Sequence, residues 1–264
     1  MPLPPLLYRY RNTSKFTEAI ITKREVFFAS PASFNDPFDC GFHIPCHGEF
    51  IKYIIRKVAL KSVLNLHPKV SDKEANEAAE VVTKKILSDH HDEASNQFKM
   101  MLCREFNDKA GVLCLAATNS DILMWSHYAD CHKGICLEFR TDIKDSIFNK
   151  AEPVIYSDQY PHLDLDELAE FEQLQNWATW MLTKSSHWSY EKEWRILDFD
   201  SGPGLKSFDS SCLSTVILGC CISDEDRRKV LGWVRDYPRP LCLMQARKSS
   251  TNFSIEFTKI DAKL

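Results

Sequence analysis

The densest chemistry in the chain lies in Tyr-Glu-Lys-Glu-Trp-Arg, residues 190–195, where Glu191, Glu193 and Arg195 alternate. Alternation at period two puts three charges on one face of a strand. Such a face is a solvated surface, a structural ion pair, or a pair of carboxylates set for acid–base work. A second run, Met-Trp-Ser-His-Tyr-Ala-Asp at 124–130, brings Trp125, His127 and Tyr128 within one turn. His127 exchanges a proton near neutral pH. Trp125 or Tyr128 can wall a pocket, although aromatics at this spacing also serve as core. A third run, Ser30 to Asp39, is a turn-rich loop broken by Asn-Asp-Pro. Asn35 and Asp36 suit bonds to their own backbone. Asp39 follows the turn and is the loop's leading functional candidate.

Other constellations carry less. Cys40, His43, Cys46 and His47 are zinc-ligand types, but four ligands within eight residues can hardly wrap a tetrahedral site, and no metal is expected. Asp36, Asp39, Glu191 and Glu193 around a metal would make a nuclease or hydrolase, which stays open as an alternative. No Gly-x-Gly-x-x-Gly or phosphate-binding loop occurs, and Ser126-His127 lacks a nucleophile elbow. His90, His91 and Cys103 read as ordinary helix residues.

The elements that must position these runs follow from periodicity. LLYRYR is a strand with Tyr8 and Tyr10 on one face and Arg9 and Arg11 on the other. Thr13 or Ser14 caps a helix to about Thr22, and REVFFAS is the next strand. Residues from about 49 to 106 are helical in pattern, with a capping box at Ser71 to Glu74. AGVLCLAAT, KGICLEFR, EPVIYSD, EWRILDFD, CLSTVILGC, LCLMQARK and FSIEFTKI read as strands. Leu165 to Ser186 reads as a long amphipathic helix, and Ser223 caps another. Strands on both sides of a helical middle predict an α+β fold in one domain, 1–264, with a helical insertion at 49–108.

The 264 residues carry a net charge of −4 and ten cysteines. The charge argues against a phosphate-neutralising surface, so a nucleic-acid partner is not expected. No run of 18 apolar residues suggests a membrane span, and the first residues lack a signal-peptide pattern. A cytoplasmic location is expected, with the cysteines reduced and mostly buried.

FFASPASFNDPFD, MWSHYADCHKGICLEF and YEKEWRI, in this order, resemble a widespread bacterial family of unknown function. More distantly, LYRYR, a helix, then REVFFAS resembles the opening of ADP-ribosyltransferase folds. Those folds end in a strand that begins with Glu, often with another Glu two residues earlier. The resemblance implies mixed or antiparallel sheets, with Arg9, Ser30 and Glu193 converging on one cleft. It implies NAD as substrate, for which the three runs offer Asn35, Asp36, Asp39, Trp125, His127, Tyr128 and Arg195 as candidate binding residues. Glu193 would face an oxocarbenium-like state, Glu191 would orient the acceptor, and Arg9 would fork to ribose or pyrophosphate. The chain departs from the pattern in lacking a Gly after Arg9 and a Ser-Thr-Ser run. The function so implied is ADP-ribosyl transfer or NAD cleavage by a bacterial effector, in phage defence or toxin–antitoxin conflict. A non-catalytic module sensing a nucleotide or peptide is the alternative.

Overall fold

A computed structural model describes residues 1–41, 48–88, 109–161 and 177–260. Two compact units emerge: one of 1–41, 109–159 and 177–264, the other of 42–108 and 160–176. The expected insertion falls within the second unit. There, helix α2 (Gly48–Leu66) and a helix over 72–88, α3, are described. Ser71 and Glu74 form the reciprocal capping box: Ser71 N–H donates to the Glu74 carboxylate at 3.2 Å, and Glu74 N–H donates to Ser71 Oγ at 3.4 Å. Ala75, Ala79 and Thr83 recur every four residues and are fully buried. Arg56 of α2 reaches Glu80 of α3 at 3.6 Å.

The first unit is built on an eight-stranded mixed sheet. In chain order its strands are β1 (Leu6–Arg11), β3 (Gly111–Ala116), β4 (Ile135–Arg140), β5 (Glu152–Pro153), β8 (Glu193–Asp198), β10 (Leu213–Leu218), β11 (Cys242–Lys248) and β12 (Ile255–Lys259). They lie in the order β12-β11-β10-β4-β1-β3-β8-β5, with β10 and β11 parallel and the other pairings antiparallel. The α+β class is therefore observed. Two small sheets flank it: β2 (Glu25–Phe28) with β9 (Gly204–Ser207), and β6 (Ile155–Ser157) with β7 (Thr183–Ser185).

Register sorts the side chains. Residues opposite one another share a face, so Tyr8, Ala116 and Glu193 lie together, as do Cys114 and Arg195. Helix α4 (Ile122–Tyr128) covers this face through Met124, Trp125 and the following Ala129, against Tyr10, Ala116 and Cys136. The other face is largely apolar, with Leu7, Leu113, Leu137, Phe139, Trp194 and Ile196, and also carries Arg9 and Arg11 of β1. Helix α1 (Lys15–Thr22) packs on it through Ile20 and Ile21, and the C-terminal helix Asp224–Arg235 through Val230, Leu231 and Val234. That helix is capped by Ser223, whose Oγ accepts from Asp226 N–H; Ser14 stands at the cap of α1, its hydroxyl meeting Thr17 Oγ1 at 3.4 Å rather than a backbone N–H.

Some elements differ from expectation. The long helix at 165–186 is not seen at its C-terminal end: a short helix, Trp177–Met181, is followed by strand β7 and a 3-10 stretch at Ser186–Glu191. β7 pairs with β6, so tertiary pairing overrides the helical pattern. Residues 165–176 lie outside the described residues, as do 89–106 with His90, His91 and Cys103, and His43, Cys46 and His47 of the zinc-type run. Of the eight described cysteines, all free thiols, only Cys136 and Cys212 are buried. The expectation of mostly buried cysteines is corrected: Cys221 sits in an exposed turn although its sequence neighbours Cys220 and Ile222 are apolar, and Cys131 sits in another between Asp130 and His132.

Candidate functional site

β1 and β3 pair only at Tyr8–Ala116, whereas β1 and β4 pair along their whole length. Further along β3, Val112 bridges to Ala29, the residue after β2. Where β1 and β3 part, a cleft of about 160 Å³ opens. Tyr8 to Arg11 and Cys114 to Ala116 line it, with Phe34, Asn35 and Asp39 from the loop, Met124 and Tyr128 from α4, and Lys184, Glu191 and Glu193.

One wall is a buried ion network. Arg195, fully buried, donates Nε to Glu193 Oε1 at 2.7 Å and Nη2 to Glu193 Oε2 at 3.0 Å. The same Nη2 donates to Asp39 Oδ2 at 2.8 Å, and the Phe34 ring lies over the guanidinium at 5.4 Å. Lys184 sits among all three carboxylates: its Nζ donates to Glu191 Oε2, to Glu193 Oε2 at 3.0 Å, and lies 3.6 Å from Asp39. Tyr128 Oη donates to the other Glu191 oxygen at 2.6 Å. Tyr156 Oη accepts from the Glu193 backbone N–H at 2.8 Å, holding the start of β8.

The two glutamates respond differently. Burial pushes the Glu193 carboxyl up, but the Arg195 guanidinium and Lys184 outweigh it and hold it at about 2. For Glu191 burial wins over Lys184 and Tyr128, and its carboxyl is raised. Burial would lower the Lys184 ammonium, yet Glu193, Glu191 and Asp39 together raise it. Three carboxylates against two cations leave the cluster one negative charge in excess, and Glu191 is where a proton best relieves it.

Strand β1 carries the reverse imbalance. Arg9 and Arg11 project on the same side of β1, and no carboxylate pairs with either among the described residues. Arg9 Nη2 makes a long contact, 3.4 Å, to the Phe27 carbonyl. Arg9 Nη1 and Arg11 Nε are buried without any partner among the described residues. Burial and the neighbouring Arg11 charge pull the Arg9 guanidinium down to about 9. A guanidinium keeps its proton at neutral pH, so this shift registers an unmet charge.

The residues singled out from sequence therefore divide. Arg9, Asn35, Asp39, Tyr128, Glu191 and Glu193 line the cleft. Arg9 and Glu193 reach it from opposite faces of the sheet, because Arg9 alternates with Tyr8, which shares the face of Glu193. Arg195 stands behind the carboxylates and positions them. Ser30 does not join them: its Oγ accepts from Ala32 N–H and caps the 3-10 turn Pro31–Ser33. Asp36 accepts from Phe38 N–H at 2.9 Å in its own turn. Trp125 is core, donating Nε1 to the Asn119 carbonyl and meeting Tyr10 edge-on at 5.3 Å. His127 is exposed, 6.5 Å from the Tyr190 ring. Sequence reasoning missed Lys184, Arg11 and Tyr156. The one available signal for Lys184 was a lone cation in the otherwise uncharged run Trp-Met-Leu-Thr-Lys-Ser-Ser-His-Trp.

A family model described as a protein of unknown function (DUF2971) matches residues 124–196. The match spans α4 to β8 and so includes Tyr128, Lys184, Glu191, Glu193 and Arg195; Arg9, Arg11 and Asp39 lie outside it. No curated protein matches the chain, and no solved structure does.

Proposed function

We propose that the cleft binds NAD and that the protein transfers its ADP-ribosyl group or hydrolyses it, as the resemblance to ADP-ribosyltransferase folds implies. The observation that carries this reading is the pair Arg9 and Arg11, whose buried guanidinium nitrogens Nη1 and Nε lack partners among the described residues, in a cleft also lined by Asp39, Glu191 and Glu193. Each unsatisfied buried donor costs about 1–3 kcal/mol, and an anionic ligand would recover that cost. A dinucleotide offers a diphosphate to the arginines and a ribose to the carboxylates. The cleft, at about 160 Å³, is smaller than the roughly 300–1,000 Å³ of pockets that enclose a whole ligand. It therefore takes the nicotinamide-ribose end, with the adenosine outside.

In this mechanism the bond between nicotinamide nitrogen and ribose C1 breaks, and the bonding pair leaves with neutral nicotinamide. The ribosyl carbon becomes oxocarbenium-like and is faced by the carboxylate cluster. An acceptor hydroxyl, or water, then adds to C1 and yields its proton to Glu191. Its raised pKa suits Glu191 for that transfer better than Glu193. Glu193, paired on both oxygens, acts as a fixed charge. A metal-dependent hydrolase is less favoured, because Asp39, Glu191 and Glu193 already bind Lys184 and Arg195.

The test is incubation with NAD labelled in the nicotinamide ring. Free nicotinamide should appear, and Glu191→Gln should slow its release by about 10²–10³, the usual worth of one electrostatic or proton-transfer group. Binding of NAD without turnover would favour the nucleotide-sensing alternative. Absence of both binding and turnover would overturn the proposal.

A further inference from the structure

A second cavity of about 510 Å³ in the same unit is lined by Cys220 and Cys221 together with His132, Lys248, Phe253 and Ile122. The two cysteines occupy the middle of a turn that Ile222 N–H closes onto the Gly219 carbonyl at 3.2 Å. Their sulfurs lie 3.8 Å apart; Cys221 is exposed and Cys220 half-buried. The turn is clamped from below: Gly219 N–H donates to the Gly134 carbonyl at 2.9 Å and Cys221 N–H to the His132 carbonyl at 3.0 Å. The approach is so close that a Cβ on Gly219 would stand 2.2 Å from the His132 oxygen. The clamp holds both thiols at one spot while leaving them open to the cavity. His132, which also lines the cavity, has its Nδ1 buried without a partner among the described residues.

We propose that Cys220 and Cys221 are a redox-active dithiol that a peroxide oxidises reversibly to a disulfide. The exposed Cys221 thiolate attacks one peroxide oxygen and the O–O bond breaks. Cys221 becomes a sulfenic acid, and the leaving oxygen takes up a proton as water or an alcohol. Cys220 then attacks the Cys221 sulfur, the S–O bond breaks, and a second water leaves. Two thiols lose two electrons and two protons in all, and the peroxide gains them. Closure needs the sulfurs to move from 3.8 Å to the roughly 2.05 Å of a bond. Adjacent Cα atoms are about 3.8 Å apart, below the usual disulfide span of about 4.4–6.8 Å. The resulting bond is strained, and strained disulfides are the readily reduced ones.

The test uses the full chain with hydrogen peroxide, trapping of remaining thiols by a maleimide, and peptide mass mapping. The peptide holding Cys220 and Cys221 should lose two hydrogens and two labelling sites, and regain both with dithiothreitol. Cys221→Ser should abolish the hydrogen loss, and Cys131→Ser should leave it intact. If both thiols stay labelled while others oxidise, the proposal fails. It equally fails if Cys221 goes on to the sulfinic acid, or if the bridge that forms joins Cys131.

Discussion

Glu191 and Glu193 stand two residues apart yet are perturbed in opposite directions, because Arg195 forks onto one and not the other. Neutralising them should therefore separate stability from activity. Glu193→Gln leaves the fully buried Arg195 with Asp39 as its one charged partner among the described residues and should destabilise by about 3–5 kcal/mol, the cost of breaking a buried pair. Glu191→Gln keeps an acceptor for Tyr128 or Lys184 and should cost less than half as much, while losing the proposed NAD turnover. Thermal melting of the two variants decides it; equal losses would mean that the network does not discriminate between them. Lys184→Met removes the cation shared by three carboxylates and should lower the melting temperature at least as far as Glu193→Gln. At this scale the sequence disclosed Glu191, Glu193 and Arg195 as alternating charges, although only Glu193 and Arg195 share a strand face and Glu191 closes the 3-10 stretch before β8. It did not disclose that the face is buried, since alternation is the same for a solvated strand and for one covered by a loop and a helix. Nor did it disclose Lys184, which reaches the cluster only because β7 lies beside β6.

The elements around the cleft are held by close backbone contacts and caps. Gly134 precedes β4, and a Cβ there would stand 2.1 Å from the Arg11 carbonyl oxygen. Gly134→Ala should push β4 from the very strand that carries Arg9 and Arg11. A cost of about 3 kcal/mol, the upper end of overpacking, is expected in urea unfolding. Asp121 caps α4 by accepting from Met124 N–H at 2.9 Å. Asp121→Ala should cost about 1 kcal/mol, read in the same experiment; no change would show that α4 is held by Trp125 alone. Most strands near the site were legible from alternation or apolar runs. The missed element, β9, and the misread one, β7, are short, and each is decided by a distant partner, β2 and β6, that local pattern does not reveal.

For the whole molecule, the ion network sets an acid limit. Glu193 has a folded pKa of about 2 against an ordinary 4.5. A depressed carboxyl contributes stability that is fully present above the unfolded pKa and is lost as pH falls through the folded one. Glu193 thus contributes on the order of 3 kcal/mol above about pH 4.5, fading toward pH 2. Glu191, raised, has the opposite sign and offsets part of this. Melting temperatures from pH 6 to 2 should fall through that window, and Glu193→Gln should flatten the fall. An unchanged slope in the variant would assign the acid sensitivity to other carboxylates.

By itself, the sequence determined the α+β class, most strands and helix caps, and the three runs that supply Asn35, Asp39, Tyr128, Glu191 and Glu193 to the cleft. These follow from period, capping and turn chemistry, all of which act over a few residues. Tertiary structure alone decided which of those residues meet. Strand register put Arg9 and Glu193 on opposite faces, and the parting of β1 from β3 let both line one cleft. Local bonding withdrew Ser30 and Asp36 into their own turns, and packing put Trp125 into the core. The charge balance of the site, three carboxylates against two cations beside two arginines with no carboxylate partner among the described residues, depends on contacts such as Arg195–Asp39 that span more than 150 residues. No local pattern encodes it.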